Sequence, residues 1–374
     1  MRLEHVVGVL EDFWPSALAA EWDAVGLAVG DPVADVQRVR FAIDPVAVVV
    51  QEALDGGCQL LVAHHPLYLH GTSSVAADGP KGRVVEALVR GGCGLFVAHT
   101  NADHARPGVN DALADLFGLQ GTVPLDPVLE TLDTLVVSVP TADAGRLRAA
   151  LTAAGAGQIG SYDSCTWSVA GTGAFRPLPG AAPAVGEVGR LEQVDEVRIE
   201  TVVPADRRDE VLRVLLATHP YETPAWSLLP SVPLPGPAGL GRVGDLPQPM
   251  ALGELVELTT TVLPPTFWGV RAAGDARRVV RRLAVCGGAG DDVLGQAAAA
   301  GADALLTSDL RHHRALEAPE GLALIDAAHW ATEWPWLPAA AARLASVTGV
   351  GTSVSTTCTD PWITSHPPPR SPTA

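Results

Sequence analysis

The feature that most constrains this chain is a short apolar run, Leu60–Ala63, that ends on the adjacent histidines His64 and His65. A run of this length and composition predicts a buried strand. Pro66 follows and ends the strand, because proline has no N–H to donate and disfavours helical backbone in the residue before it. Open α/β sheets bind ligands beyond the carboxyl ends of their strands. The two histidines are therefore predicted to face a binding site.

Two further apolar runs end on the same kinds of side chain. One runs into His99 and Asp103, and the other leads to His329 and Glu333. Residues spaced four apart, as His329 and Glu333 are, lie on one face of a helix. Imidazoles and carboxylates gathered at strand ends are ligands that first-row divalent metals bind. Each pair alone has a structural explanation, as surface, turn or helix residues, so the prediction of a metal centre depends on the three sites together.

Length and charge limit the classes of protein to which the chain can belong. With 374 residues, 47% of them hydrophobic, it is long for one core, which favours two domains or a domain with an insertion. A net charge of −17 argues against nucleic-acid binding, which needs a basic surface. The scattered cysteines, the lack of a signal-peptide pattern and the lack of an apolar stretch of about 18 residues favour a cytoplasmic protein that is not in the membrane.

Strand and helix patterns alternate along most of the chain, which is typical of a sheet covered by helices. The pattern changes abruptly once and resumes after a Pro/Gly linker, with a strand predicted at Thr266–Val270. In between, the order strand–helix–strand–strand–helix–strand is that of a ferredoxin-like or PII-like module. We therefore predict an α/β fold of two halves, 1–127 and 236–365, an inserted α+β domain over 128–235, and a disordered, proline-rich tail over 366–374.

Five segments carry a more specific signal: Glu21–Leu27, Ala63–Leu67, His99–Asp103, Thr307–His313 and His329–Glu333. In order and composition they resemble the successive motifs of the NIF-three-like dinuclear metal-centre family, whose members are often labelled GTP cyclohydrolase 1 type 2 homologs. The segment Thr307–His313 departs from the usual family pattern, Thr-Gly-Glu-x-Lys-Tyr-His, at Ser308, Asp309, Arg311 and His312, and matches it at His313.

The resemblance implies two α/β halves that share a dimetal site, a PII-like insertion and a toroidal homohexamer. The insertion of the longer bacterial members is matched at 160–163, 171–177 and 219–222, segments that either gate the ring or serve as packing and turn residues. The two acids of the ligand set would bridge two divalent ions per subunit, which would be zinc, iron, manganese or cobalt. Carried over residue by residue, the ligands would be His64, His65, Asp103, His329 and Glu333.

Two further features leave alternatives open. His99 either transfers a proton as a catalytic residue or orients Asp103 through a hydrogen bond. The glycine-rich segment Gly287–Gly290 is interpreted as a tight strand-to-helix turn rather than a phosphate site, because it lacks the Lys-Ser/Thr of a P-loop.

Three functions are consistent with such a chain. The first is a metal-dependent hydrolase of a nucleotide or another phosphorylated or cyclic small molecule. The family's nominal reaction is the opening of the GTP imidazole ring with release of formate. The second is a non-catalytic, hexameric metal-binding scaffold or regulator, and the third is a metal store.

Overall fold

The computed structural model describes residues 1–364, and the predicted disordered tail, 366–374, lies outside the described residues. Contacts within the chain divide it into two compact units. Unit 1 consists of Met1–Val128 and the residues from Pro237 onward, and unit 2 consists of Leu129–Gly236. Each unit has its own hydrophobic core.

One predicted strand is wrong. Thr266–Val270 is irregular, because Gly269 has a φ of 71°, which an extended strand does not allow, and the strand begins instead at Arg271. In chain order, the strands of the described residues are β1 (Gly26–Val29), β2 (Arg38–Ala42), β3 (Leu60–Ala63), β4 (Gly94–Val97), β5 (Gln120–Val123), β6 (Asp126–Glu130), β7 (Leu132–Pro140), β8 (Thr166–Phe175), β9 (Glu192–Pro204), β10 (Trp226–Leu229), β11 (Leu234–Leu240), β12 (Arg242–Ala251), β13 (Arg271–Ala273), β14 (Val279–Ala289), β15 (Ala304–Ser308), β16 (Ala323–Ala327) and β17 (Gly351–Val354).

The helices are short. Within residues 1–364, none of them combines the length and the apolar character that crossing a membrane requires. They are α1 (Leu3–Phe13), α2 (Ala47–Asp55), α3 (Pro80–Gly91), α4 (Thr100–His104), α5 (Val109–Leu116), α6 (Ala144–Ala153), α7 (Arg208–Thr218), α8 (Leu252–Val262), α9 (Leu294–Ala299), α10 (His312–Leu316), α11 (His329–Glu333) and α12 (Trp336–Thr348), with single 3-10 turns at Ser16–Leu18 and Ala205–Arg207.

The first sheet of unit 1 has the strand order β1-β4-β3-β2-β17. Strands β17, β2, β3 and β4 are parallel, and β1 pairs antiparallel with β4. Every residue of β3 and β4 is buried, which explains their continuous apolar sequences, because a parallel sheet is covered on both faces. Since β3 and β4 are parallel neighbours, the residues that follow them, His64 and His99, lie at the same edge of the sheet.

The second sheet of unit 1 has the order β13-β16-β15-β14-β12-β5. Its central strands β14, β15 and β16 are parallel. Strand β13 pairs antiparallel with β16, β12 pairs antiparallel with β14, and β5 pairs antiparallel with β12. Phe41 and Phe96 of the first sheet belong to the same core cluster as Leu283 and Ile325 of the second. The predicted α/β class is confirmed as a mixed α/β fold with several sheets.

Arg242, at the start of β12, is fully buried in unit 1. Its guanidinium donates hydrogen bonds to both carboxylate oxygens of Asp111, at 2.8 and 2.7 Å. It also donates to the carbonyl groups of Ala105, Gly239 and Gly241. This bidentate pair therefore connects two parts of unit 1 that are 131 residues apart in the sequence.

Unit 2 follows the order β7-α6-β8-β9-α7-β10. Its four strands form an antiparallel sheet in the order β10-β7-β9-β8. Leu147 of α6 and Leu215 of α7 are buried with Leu135 and Ile199 of the sheet, so both helices cover one face of it. The identity of this unit as a PII-like insertion stays a prediction.

Candidate metal centre

The structure brings the predicted site residues together at the strand ends of unit 1. His64 and His65 follow β3, and Asp103 lies on α4, which begins after His99 at the end of β4. The short helix α11 begins two residues after β16 and carries His329 and Glu333, which are therefore one turn apart. The residues His64, Asp103 and Glu333 are buried, with exposed fractions of 0, 8 and 3%.

Glu333 is the centre of the cluster. Its Oε1 lies 2.9 Å from Nε2 of His329 and 3.4 Å from Nε2 of His64. Its Oε2 lies 3.1 Å from Nε2 of His65. The second acid, Asp103, approaches Nε2 of His64 at 3.7 Å. All three imidazoles therefore present the same ring nitrogen, Nε2, to the carboxylates.

The opposite nitrogens of His64 and His65 are held by hydrogen bonds. Nδ1 of His64 lies 2.8 Å from the carbonyl oxygen of Ala98. Nδ1 of His65 lies 2.8 Å from Oδ1 of Asp44. Both partners are oxygen atoms that can only accept a hydrogen bond, so each Nδ1 carries the proton. When the ring is neutral, its Nε2 therefore directs a lone pair toward the centre of the cluster. This arrangement is typical of metal-ligating histidines.

The Nδ1 atoms of His329 and His99 are also held by hydrogen bonds, in both cases to a carboxylate. Nδ1 of His329 lies 2.6 Å from Oδ2 of Asp309, which adopts a left-handed φ of 56°. Nδ1 of His99 lies 2.9 Å from Oδ1 of Asp23. Among the described residues, no hydrogen bond joins the His99 ring to Asp103, so the ring is oriented by Asp23 instead.

Three buried atoms of the cluster lack a hydrogen-bond partner in the part of the chain that the structure describes: His64 Nε2, Asp103 Oδ1 and Glu333 Oε2. Buried polar atoms in this state are unfavourable unless a ligand satisfies them. Two overlapping sets of donor atoms, His64–His65–His99 and His65–His329–Glu333, each lie within 4.8 Å of one another. Their imidazole and carboxylate chemistry fits a first-row divalent cation.

The mutual charges of the cluster shift its pKa values. Burial lowers the pKa of His65, but Glu333 and Asp44 raise it to about 10. The charge of Glu333, against the effect of burial, raises the pKa of His329 to about 11. Burial raises the pKa of Glu333, but the surrounding imidazoles hold it well below its usual range. The cluster therefore stabilises positive charge at its centre, which a proton or a metal ion can supply.

Comparison with known proteins identifies the family. The family model described as Duf34/NIF3 (NGG1p interacting factor 3) matches residues 1–361. The chain belongs to the DUF34/NIF3 family. The predicted resemblance is thereby confirmed.

Curated relatives and solved structures of the DUF34/NIF3 family agree along nearly the whole chain. A Mycobacterium tuberculosis protein named GTP cyclohydrolase 1 type 2 homolog is 49% identical over 372 residues, 98% of each chain. A Bacillus subtilis protein of the same name is 38% identical over 330 residues, 88% of each chain. The crystal structure of a Bacillus cereus protein related to NIF3 matches with a TM-score of 0.83 and 35% identity, covering 98% of this chain and 99% of that one.

Sequence reasoning missed the acids that hold the imidazoles of this family member. Asp44 follows β2, so its place at a strand end was a usable signal. Asp23 lies in the first family-like segment and Asp309 in the fourth, but nothing in those segments indicates which histidine each acid contacts.

A small cavity of about 210 Å³ opens beside this cluster of side chains and is lined by His65 and His329 together with tryptophans. The rings of Trp268 and Trp362 lie 5.7 Å apart. Asp360, only 6% exposed, lines the cavity, and no described residue donates a hydrogen bond to its Oδ2. The cavity therefore offers a flat apolar ring a place to stack.

Gly288 allows the second sheet to approach the cluster. It lies at a bulge in β14, with a left-handed φ of 66°, and its N–H donates to the Thr332 hydroxyl at 2.9 Å. A Cβ at this position would clash with Oε1 of Glu333 and lie 3.1 Å from Nε2 of His329. Strand β14 includes Gly287 and Gly288 and ends at Ala289. The tight turn predicted at 287–290 is therefore wrong for residues 287–289.

We expect Gly288→Ala to lower the affinity for a divalent metal by about 10- to 100-fold, because the added methyl displaces Glu333 and His329. The positive φ should also lower the free energy of unfolding by about 1–2 kcal/mol. Isothermal titration and urea unfolding measure the two effects. Gly295→Ala is the matched control, because the space around that glycine is open and its φ is not positive. Unchanged metal affinity in Gly288→Ala would contradict this account of the bulge.

We also expect metal uptake at pH 7 to release at least two protons, one each from His65 and His329, because a ligating imidazole must be neutral. Their pKa values of about 10 and about 11 mean that both rings are protonated before metal binds. Metal affinity should therefore fall as the pH is lowered. Calorimetric titration in buffers of different ionisation enthalpy counts the released protons, with His5→Gln, an exposed histidine, as control. A count of zero would argue against these imidazoles as ligands.

Proposed function

We propose that this protein is a dinuclear divalent-metal hydrolase that acts on a nucleotide or a related small molecule. The observation that carries the proposal is the convergence of the Nε2 atoms of His64, His65 and His329 on Glu333, with each Nδ1 fixed from outside. Two ions of zinc, iron, manganese or cobalt would be held by His64, His65, Asp103, His329 and Glu333.

When bound, paired divalent ions act as Lewis acids that activate water and polarise a substrate oxygen. The chain's own residues would supply proton transfer. His99 is held at Nδ1 by Asp23, so its Nε2 is the atom that accepts or delivers a proton. Burial raises the pKa of Asp23, but hydrogen bonds from His99 and Thr100 lower it far below its usual range. Asp23 thus stays ionised and accepts the hydrogen bond from Nδ1 of His99.

The tryptophan-lined cavity supports a substrate with a flat ring. Trp268 and Trp362 are placed to stack on such a ring. Because His65 and His329 line the same cavity, a ring bound there lies beside the proposed metal ligands. A nucleobase meets these requirements.

The proposal is tested by elemental analysis of the purified protein, followed by a screen of nucleotides and phosphoesters with the identified metal restored. We expect metal-dependent turnover of at least one compound, and its loss in Asp103→Ala. Asp78→Ala removes an exposed acid that does not belong to the cluster and should leave turnover unchanged. Tightly held metal without turnover of any compound would favour the scaffold function, and metal lost to a mild chelator would favour the store.

The proposal extends to a toroidal homohexamer in the cytoplasm, with residues 128–235 as a PII-like insertion. Light scattering after size-exclusion chromatography should then give six times the 38.7 kDa chain mass. A monomeric mass would contradict the assembly without affecting the metal site of a single chain.

A further inference from the structure

Two sequence motifs that the metal centre does not use meet at one cavity of unit 2. Gly171–Pro177 runs along β8, and His219–Glu222 follows α7. The cavity between them has a volume of about 410 Å³, which lies within the range of small-molecule sites. Both motifs contribute side chains to its wall.

Aromatic rings form the apolar part of the cavity. Phe175 and Tyr221 lie with their ring centroids 5.5 Å apart, at an interplanar angle of 60°. Pro177 and Pro183 add apolar surface. Such a wall accommodates a hydrocarbon body, and the faces of the two rings attract a cation.

The charged groups on the wall are all negative. Among the described residues that line the cavity, Glu196 and Glu222 are acids and none is basic. Glu222 accepts the backbone N–H of Ala182 at 3.2 Å and so holds the 177–186 segment against the cavity. Burial, the hydrogen bond to Glu196 and the nearby acids raise the pKa of the Tyr221 hydroxyl, which therefore stays neutral.

One carboxylate oxygen of Glu196 accepts a hydrogen bond from the cavity wall, and the other can accept one from a ligand. Its Oε1 accepts the Tyr221 hydroxyl at 2.9 Å. Its Oε2 lies so close to Gly173 that a Cβ there would clash with it. Glycine at 173 therefore makes room for this carboxylate at the cavity wall, and the neighbouring Gly171 has open space instead.

We propose that this cavity binds a small organic ammonium ion with an apolar body, whose N–H donates to Glu196 while the body packs against Phe175 and Tyr221. Charge complementarity selects the cation, because the wall offers acids and aromatic faces and no compensating base among the described residues. The residues of the candidate metal centre all belong to unit 1, whereas the residues that line this cavity belong to unit 2.

Calorimetric titration of the full chain with phenylbutylamine tests the proposal, with phenylbutanol and phenylbutyrate as neutral and anionic probes of similar shape. We expect the amine to bind at one site per chain and the other two probes to bind about ten-fold more weakly or worse, because they lack one charge-assisted hydrogen bond. Equal binding of the amine and the alcohol, or no binding of the amine at millimolar concentration, would overturn the proposal.

Two variants assign the amine to this cavity. Glu196→Gln keeps an acceptor for Tyr221 and should weaken amine binding about ten-fold, whereas Glu200→Gln removes the same charge from the same strand outside the cavity and should not. Gly173→Ala should also weaken binding by displacing Glu196, with Gly171→Ala as its control. Matching unfolding temperatures show that the variants are folded. If, in either pair, the cavity variant and its control both lost amine binding, or neither did, the amine could not be assigned to this cavity.

Discussion

Glu333→Gln is expected to reduce divalent-metal affinity by about 100-fold or more, because glutamine keeps the shape of the side chain but removes the charge on which three imidazoles converge. The same change should lower the raised pKa values of His65 and His329 in the metal-free protein, since Glu333 is the main cause that raises each of them. Calorimetric titration measures the affinity, and histidine resonances followed by NMR against pH measure the pKa values.

The control for this variant is Glu317→Gln, which makes the same chemical change at an exposed position just after α10. It should leave both metal affinity and histidine pKa values unchanged. If Glu333→Gln bound metal as tightly as the unmodified protein, while remaining folded by circular dichroism, Glu333 would not be a ligand. A lowered metal affinity with unaltered histidine pKa values would instead contradict the charge network described for the metal-free cluster.

Arg242→Met is expected to lower the free energy of unfolding by about 3 kcal/mol or more, because it leaves Asp111 without its buried partner. The substitution also leaves the carbonyl groups of Ala105, Gly239 and Gly241 without this donor. Methionine preserves most of the apolar stem, so the loss reports on the guanidinium rather than on a cavity. Urea unfolding measures the change as a lower midpoint.

Arg277→Met provides the comparison for Arg242→Met. Arg277 also pairs with an aspartate, Asp275, but both side chains are largely exposed, at 92 and 61%. Exposed ion pairs contribute little to stability, so this substitution should leave the urea midpoint almost unchanged. Equal effects of the two substitutions would show that the buried network does not stabilise unit 1 more than a surface pair.

The alternation of strands and helices, and the edge at which the site lies, could be predicted from the sequence because both follow from local rules. Apolar runs of strand length predict β3 and β4, and the carboxyl ends of adjacent parallel strands must lie side by side. The local rule failed at Thr266–Val270, where the apolar residues suggest a strand but Gly269 turns the backbone away from the extended region.

The sequence by itself determined which residues are available at the strand ends: His64, His65, His99, Asp103, His329 and Glu333. Only the tertiary structure decided which nitrogen of each ring faces inward, because the partners that fix the rings, among them Asp44 and Asp309, come from other strand ends. The same holds for the approach of Gly288 to Glu333 and for the pairing of Arg242 with Asp111. Contacts between residues far apart in the chain depend on the packing of whole elements, and they leave no periodic pattern in the sequence from which they could be predicted.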